Sequence, residues 1–333
     1  MLLSSLTAGG ITGVVLGALI IACAFIIGLF FLLGYITFLA TFKRPKFSDP
    51  AKHPLHSVLC PNYDSYSESL SAAQKALEEK ASEPLSVTAA DGVKLAARFY
   101  KAENAAATVI CMHGYSSTGT RDFSNILPYY FSKGFNVLLP SERAHGESGG
   151  NYTGLGVIEV GDLELWVAEA IKLAPETKIF IHGISSGATT ALLYSAKNLP
   201  SNVKGIIEDS GYTKLWDVLC YQIKQLYRLQ PFPILHIAEL FARRFLKTSF
   251  HRDSAMDAVR QAGVPILFIH GAKDILMPIY MCEALYSACT APKAKFVAEK
   301  AGFAEASLME KDGYLAAVGS FIDTVSEKPA IAE

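Results

Sequence analysis

The chain has 333 residues, with 30 basic and 31 acidic side chains and a formal net charge of -1. That balance excludes the broad basic surface of a nucleic-acid binder and gives no field to select a strongly charged partner, while the length is ample for one full core plus an extra segment. The hydrophobic share of 51 % is high for a soluble protein, and the excess is local: no charged side chain occurs from Met1 to Phe42, and Ile11 to Phe42 is almost wholly apolar.

A bilayer span needs about 20 apolar residues. This run is longer, so it can cross with tilt or with an interfacial extension. A secretory leader would carry a basic start and an apolar core of about 7–15 residues, which this run does not match. Lys43, Arg44 and Lys46 follow directly, and positive flanks stay in the cytoplasm. The expectation is a single-pass transmembrane anchor over 1–42 with the body on the cytoplasmic side. Pro50, Pro54 and Pro61 punctuate a polar stretch from Ser48 to Tyr66, and 67–80 has helical spacing. Residues 43–83 therefore read as a linker with a short helix.

From Pro84 short apolar strands alternate with helical segments, which predicts an α/β domain over 84–327 with a mostly parallel central sheet and helices on both faces. "LSVTAADGVKLAARFY" reads as a hairpin turning at Asp91-Gly92. Strands follow at "ATVICMH", "FNVLLP", "KIFIHG", "VKGIIED", "VPILFIHG" and "AKFVAE". Helices are expected near 121–133, 158–174, 187–197 and 311–326. Between Asp209 and Val264 the texture changes to an aromatic helical stretch broken by Pro231 and Pro233. It reads as a cap near 210–255 that would shape a substrate site. Residues 328–333 are a tail. The six cysteines, Cys23, Cys60, Cys111, Cys220, Cys282 and Cys289, show neither CxxC nor zinc-ligand spacing, so free thiols are expected.

"HGISSGA" carries the strongest chemical signal. Gly183-Ile184-Ser185-Ser186-Gly187 follows an apolar strand and opens a helix, the setting of a nucleophile elbow rather than a plain Gly/Ser turn. Ser185 is the candidate nucleophile. Gly183 and Gly187 are the small residues that let strand and helix pass closely. Acyl transfer needs donors for a developing oxyanion. The Ser186 N–H is one candidate, and the Tyr115 N–H, in the loop "HGYSSTG", is the other. His113 reads as a shaper of that loop. Asp274, in "HGAKDILMP", is the candidate acid that orients a base, with Asp209 as second choice.

Taken together, "HGYSSTG", "RAHGESGG", "HGISSGA", "HGAKDILMP" and "KAGFAEA" resemble the α/β-hydrolase-fold serine hydrolases. The resemblance is closest to membrane-anchored bacterial members related to serine aminopeptidases and acyl-ester hydrolases, and it spans 84–325. It implies an α/β-hydrolase fold with a helical cap, nucleophile Ser185, acid Asp274, oxyanion donors at Tyr115 and Ser186, and neither cofactor nor metal.

In such hydrolases the loop after the last strand carries a histidine after its glycine. Here Gly302 is followed by Phe303. Phe cannot accept the serine proton or return it to a leaving group. Loss of a triad base costs on the order of 10⁴–10⁶ in turnover. His145 and Glu305 are weighed as substitutes, while His182 and His270 read as structural. His53, His56, His236 and His251 lie in the linker or cap, without a supporting motif. The expectation is a carboxylesterase-like serine hydrolase acting on a small hydrophobic acyl substrate through Ser185, with turnover weak or absent. A non-catalytic ligand-binding protein, and a peptidase or thioesterase on the same scaffold, stay open.

Overall fold

Successive side chains of a strand point to opposite faces of the sheet, so a strand covered on both sides must be apolar nearly throughout. Ala107–Met112 and Ile266–Gly271 are buried at every position and apolar except at Thr108 and His270. The computed structural model describes residues 8–45 and 62–327. Most of the linker, with His53, His56 and Cys60, and the tail from 328 lie outside them.

The strands are β1 (Glu83–Thr88), β2 (Lys94–Tyr100), β3 (Ala107–Met112), β4 (Asn136–Ser141), β5 (Lys178–Ile184), β6 (Val203–Asp209), β7 (Ile266–Gly271) and β8 (Lys293–Ala298). They form one sheet in the order β1-β2-β4-β3-β5-β6-β7-β8. β1 and β2 pair antiparallel, as do β2 and β4. The remaining pairs are parallel. The helices are α1 (Ala8–Phe42), α2 (Tyr63–Glu79), α3 (Gly119–Asp122), α4 (Leu127–Ser132), α5 (Glu159–Leu173), α6 (Ser186–Tyr194), α7 (Leu215–Gln225), α8 (Ile234–Phe245), α9 (Ala255–Val259), α10 (Ile279–Ala288), α11 (Ala306–Met309) and α12 (Lys311–Glu327).

Two compact units result. One comprises Met1–Thr41 with Leu219–Ser249, the other Phe42–Val218 with Phe250–Glu333. In the first, α1 runs 35 residues, roughly 50 Å at about 1.5 Å per residue. Its stretch Thr12–Phe42, with hydropathy 3.0, is long and apolar enough to cross a membrane.

The second unit holds the sheet and two apolar cores, one on each face. Along β5, Ile179 and Ile181 enter the core shared with Leu163 and Trp166 of α5, Leu192 of α6 and Leu285 of α10. Phe180 and Ile184 point the other way, to Phe123, Tyr130 of α4 and Tyr314 and Phe321 of α12. Burying each large side chain contributes about 1.5–3 kcal/mol. The hairpin turns where expected, with Gly92 at φ +84° and the Ala89 N–H on the Val93 carbonyl. The single helix expected over 121–133 is instead α3 and α4. Pro128 lies at the first turn of α4, where its missing N–H is harmless; one continuous helix would put it in the interior. Directly after α1, the Arg44 guanidinium donates to the Ser148 and Gly146 carbonyls at 2.7 Å each.

Candidate active site

Ser185 sits between β5 and α6 at φ +56°, ψ −117°, a conformation that L residues rarely adopt. Its neighbours explain how the chain reaches it. A methyl group on Gly183 would fall 2.3 Å from the Gly187 carbonyl oxygen, and one on Gly187 would fall 2.2 Å from that of Met112. The Ser185 N–H donates to the Asp209 carbonyl at 2.8 Å, and the Ser185 carbonyl accepts from Thr189 N–H at 3.0 Å. Ser186 opens α6, and its hydroxyl is buried without a hydrogen-bond partner.

The loop after β3 passes beside this turn. A methyl on Gly114 would meet Ser185 Cβ at 3.2 Å, so Tyr115 follows immediately beyond the closest approach. Asp122 of α3 shapes the loop. Its Oδ2 accepts from the Gly114 N–H at 2.7 Å, and its Oδ1 accepts from the Ser117 hydroxyl. Sequence reading missed Asp122, because an acid eight residues beyond a glycine follows no helix or strand period. Gly156, at φ +102°, lies against the start of α6, where a methyl would fall 2.6 Å from the Ser186 carbonyl oxygen. Glu159 holds that stretch through the N–H groups of Gly154 and Gly156.

Asp274 lies on the loop after β7 and is buried. Its Oδ1 accepts from the N–H groups of Leu276 and Met277, both at 2.8 Å. Its Oδ2 is buried without a hydrogen-bond partner. His270 Nε2 is 3.4 Å from that oxygen, but its proton goes to the Met277 carbonyl at 2.6 Å. Burial, reinforced by the negative charges of Asp209 and Glu305, pushes the Asp274 carboxyl well above the usual carboxylate range. Asp209 differs. Its Oδ1 accepts from the Ser210 hydroxyl and its Oδ2 from the Tyr314 hydroxyl. Burial raises it to about 6.

The loop carrying Phe303 is laced to the loop carrying Asp274. The N–H groups of Ala272 and Lys273 donate to the carbonyls of Ala298 and Ala301, both at 2.9 Å. Any side chain at Gly271 would strike the Gly302 carbonyl oxygen, 2.3 Å from a methyl there. Beyond Phe303, Glu305 is buried and fully engaged. It accepts from the Gly302 N–H at 3.0 Å and from the backbone and side-chain amides of Asn62 at 2.9 and 2.8 Å. Phe303 itself is half-buried.

Known proteins resemble this chain in sequence or in fold. Residues 103–256 match the family model described as serine aminopeptidase, S33. The uncharacterized protein YqkD of Bacillus subtilis is 31 % identical over 225 residues, which cover 66 % of this chain and 72 % of that protein. This chain belongs to the serine aminopeptidase-type α/β-hydrolase family. An uncharacterized membrane protein of Saccharomyces cerevisiae is 23 % identical over 72 % of this chain and 79 % of its own. An esterase of Pyrococcus furiosus superposes with a TM-score of 0.62 at 22 % identity, over 75 % of this chain and 93 % of that one; it establishes likeness of fold.

In this hydrolase the substitute bases weighed from sequence are already occupied. His113 donates from Nδ1 to the Gly114 carbonyl, and its Nε2 accepts from the Glu142 N–H. His145 bonds the Arg143 carbonyl through Nδ1 and accepts from the Ser116 N–H at Nε2. An Nε2 that accepts an N–H carries no proton, so both rings are neutral Nδ1–H tautomers. Burial lowers each to about 4, and for His145 the neighbouring His113 adds to it. His182 lies between the hydroxyls of Tyr130 and Tyr314, and burial lowers it to about 3. Tyr314 gives its proton to Asp209, so His182 Nε2–H donates to Tyr314 and Nδ1 accepts from Tyr130. His270 is buried, which lowers it below the ordinary value; its Nε2 is engaged by the Met277 carbonyl, while its Nδ1 has no hydrogen-bond partner. His251 stacks on Trp216 at 4.1 Å, and His236 meets the edge of Phe232.

Proposed function

We propose that this hydrolase is built to cleave ester-type substrates through an acyl-enzyme at Ser185, and that Phe303 fills the seat of the general base, leaving turnover weak or absent. Asp274 carries the reading. Its Oδ2 is a buried carboxyl oxygen with no hydrogen-bond partner, on a loop bonded to the turn that leads into position 303. A histidine at 303 would donate one ring N–H to that oxygen and accept the Ser185 proton at the other nitrogen. The backbone N–H groups of Tyr115 and Ser186 would receive the oxyanion. Without the base, about 5–8 kcal/mol of transition-state stabilisation is missing.

The substrate is a small hydrophobic acyl compound, a choice supported by the esterase among the fold neighbours. Peptidase and thioesterase chemistry share the scaffold. The α1 helix anchors the chain in a membrane, with Lys43 and Arg44 on the cytoplasmic side. One observation favours a second reading, in which the protein binds a ligand without converting it. The strained elbow is retained in a chain that carries an apolar side chain at 303. Fluorophosphonate labelling separates the two. Phe303→His should become labelled, and Ser185→Ala in that background should not. A folded Phe303→His protein that stays unlabelled sinks the hydrolase reading, while ligand affinity that survives Ser185→Ala supports the second.

A further inference from the structure

The unit that contains α1 also contains the segment Leu219–Ser249, and α8 packs on the end of α1. A methyl on Gly34 would lie 2.5 Å from Ile237 Cγ2. Tyr35 meets Phe241 with ring centroids 4.9 Å apart, and Phe38 stacks on Phe245 at 5.6 Å. α1 runs to Phe42 and the first charges follow at Lys43 and Arg44, so its C-terminal end is the one that meets a membrane surface. Gly34 to Phe38 lie within the last nine residues of α1, toward that surface, and α8 packs beside them.

The outer surface of the segment suits that position. Outside α1, and among the described residues, the exposed large apolar side chains are Tyr227, Leu229, Phe232, Leu240, Phe245, Ile275 and Tyr280. Five of these seven fall within Leu219–Ser249, so exposed apolar side chains are concentrated on this segment. The same segment holds five basic residues, Lys224, Arg228, Arg243, Arg244 and Lys247, against one acid, Glu239. Glu239 already accepts from Arg243 and Ser249. Leu240 and Arg244, four residues apart, share an exposed stripe of α8, and Lys247 is exposed just beyond the helix. Apolar and cationic groups mixed on one surface are what an interfacial element requires.

We propose that Leu219–Ser249 lies on the anionic phospholipid surface of the bilayer that α1 enters. Tyr227, Leu229, Phe232 and Leu240 reach the boundary between headgroups and acyl chains, and Lys224, Arg228, Arg244 and Lys247 contact lipid phosphates. The inference rests on reading α1 as a membrane span. The test uses the full chain in vesicles of phosphatidylcholine, with and without phosphatidylglycerol, carrying bromine on the acyl chains. Phe232→Trp and Leu240→Trp, two exposed sites, report separately, with the parent fluorescence subtracted. Both tryptophans should be quenched, at least about twofold more with the anionic lipid. Tyr280→Trp should be unaffected. Phe25→Trp, within the span, keeps the premise separate. If it is quenched while both reporters are not, the surface contact is wrong and α1 still spans. If it too is unquenched, both fail. Quenching independent of anionic lipid, or a reporter shielded from solvent yet unquenched because two copies pair there, also overturns the proposal.

Discussion

At Ser185 the backbone stores strain of about 1–3 kcal/mol, and two glycines make that conformation reachable. Their requirement is steric and local, which is why five consecutive residues suffice to read it. Gly187→Ala would force a methyl to 2.2 Å from a backbone oxygen of β3. Denaturant unfolding should show a loss of about 3 kcal/mol or more; a loss below 1 kcal/mol would mean that the approach is not tight. Phe303 stands out in the sequence for another reason, because it follows Gly302 where the resembled hydrolases carry a histidine. The engagement of the other bases does not. That Glu305 is spent on Asn62, 243 residues away, follows from no spacing in the chain. The orphaned Asp274 oxygen is likewise visible only once burial and partners are known.

Among the elements, the loop after β3 and the layer behind β5 carry consequences that sequence alone hid. Asp122 ties Gly114 and Ser117 together, so it would hold the loop that carries the proposed Tyr115 donor without touching substrate. In the Phe303→His background, Asp122→Ala should slow fluorophosphonate labelling by about 10²-fold, the scale of one lost oxyanion donor, and an unchanged rate would show that the loop holds itself. His182 is a second case. Its folded value of about 3 lies below the ordinary 6.5, so its contribution to stability is complete above pH 6.5 and is lost as pH falls toward 3. Relative to His182→Asn, the parent should therefore lose about 2 kcal/mol of stability between pH 7 and pH 5. Chemical unfolding of both proteins at the two pH values checks this, and a constant gap contradicts it. The central strands were legible because they are nearly continuous apolar runs. The break between α3 and α4 was not, since the apolar spacing of 121–133 hides a proline whose place is a first turn. α9, α10 and α11 were not anticipated either: α9 and α11 have five and four residues, too short for a 3.6-residue period to register, and α10, apolar around most of its circumference, shows little amphipathic contrast.

For the whole molecule, the order of motifs along the chain was enough for the α/β-hydrolase fold, since each motif falls at the end of a strand in one sheet. The grouping of α1 with Leu219–Ser249 lay beyond reach, because their contacts join segments about 200 residues apart. The orientation proposed from Lys43 and Arg44 is open to direct measurement. Trypsin added to intact spheroplasts should leave the body from Asn62 onward undigested, and the same protease should cut it in inverted vesicles; the reverse pattern contradicts a cytoplasmic body. The central claim concerns a molecule complete except for its base. It is tested most directly by the pH dependence of kcat/KM for Phe303→His and the parent on a short p-nitrophenyl ester. The account predicts that Phe303→His gains at least about 10²-fold, that its rate rises with pH through a midpoint of about 6.5–7 as the new imidazole loses its proton, and that the parent shows no such rise. A parent already as fast as a folded Phe303→His protein, or a gain without that inflection, would contradict it.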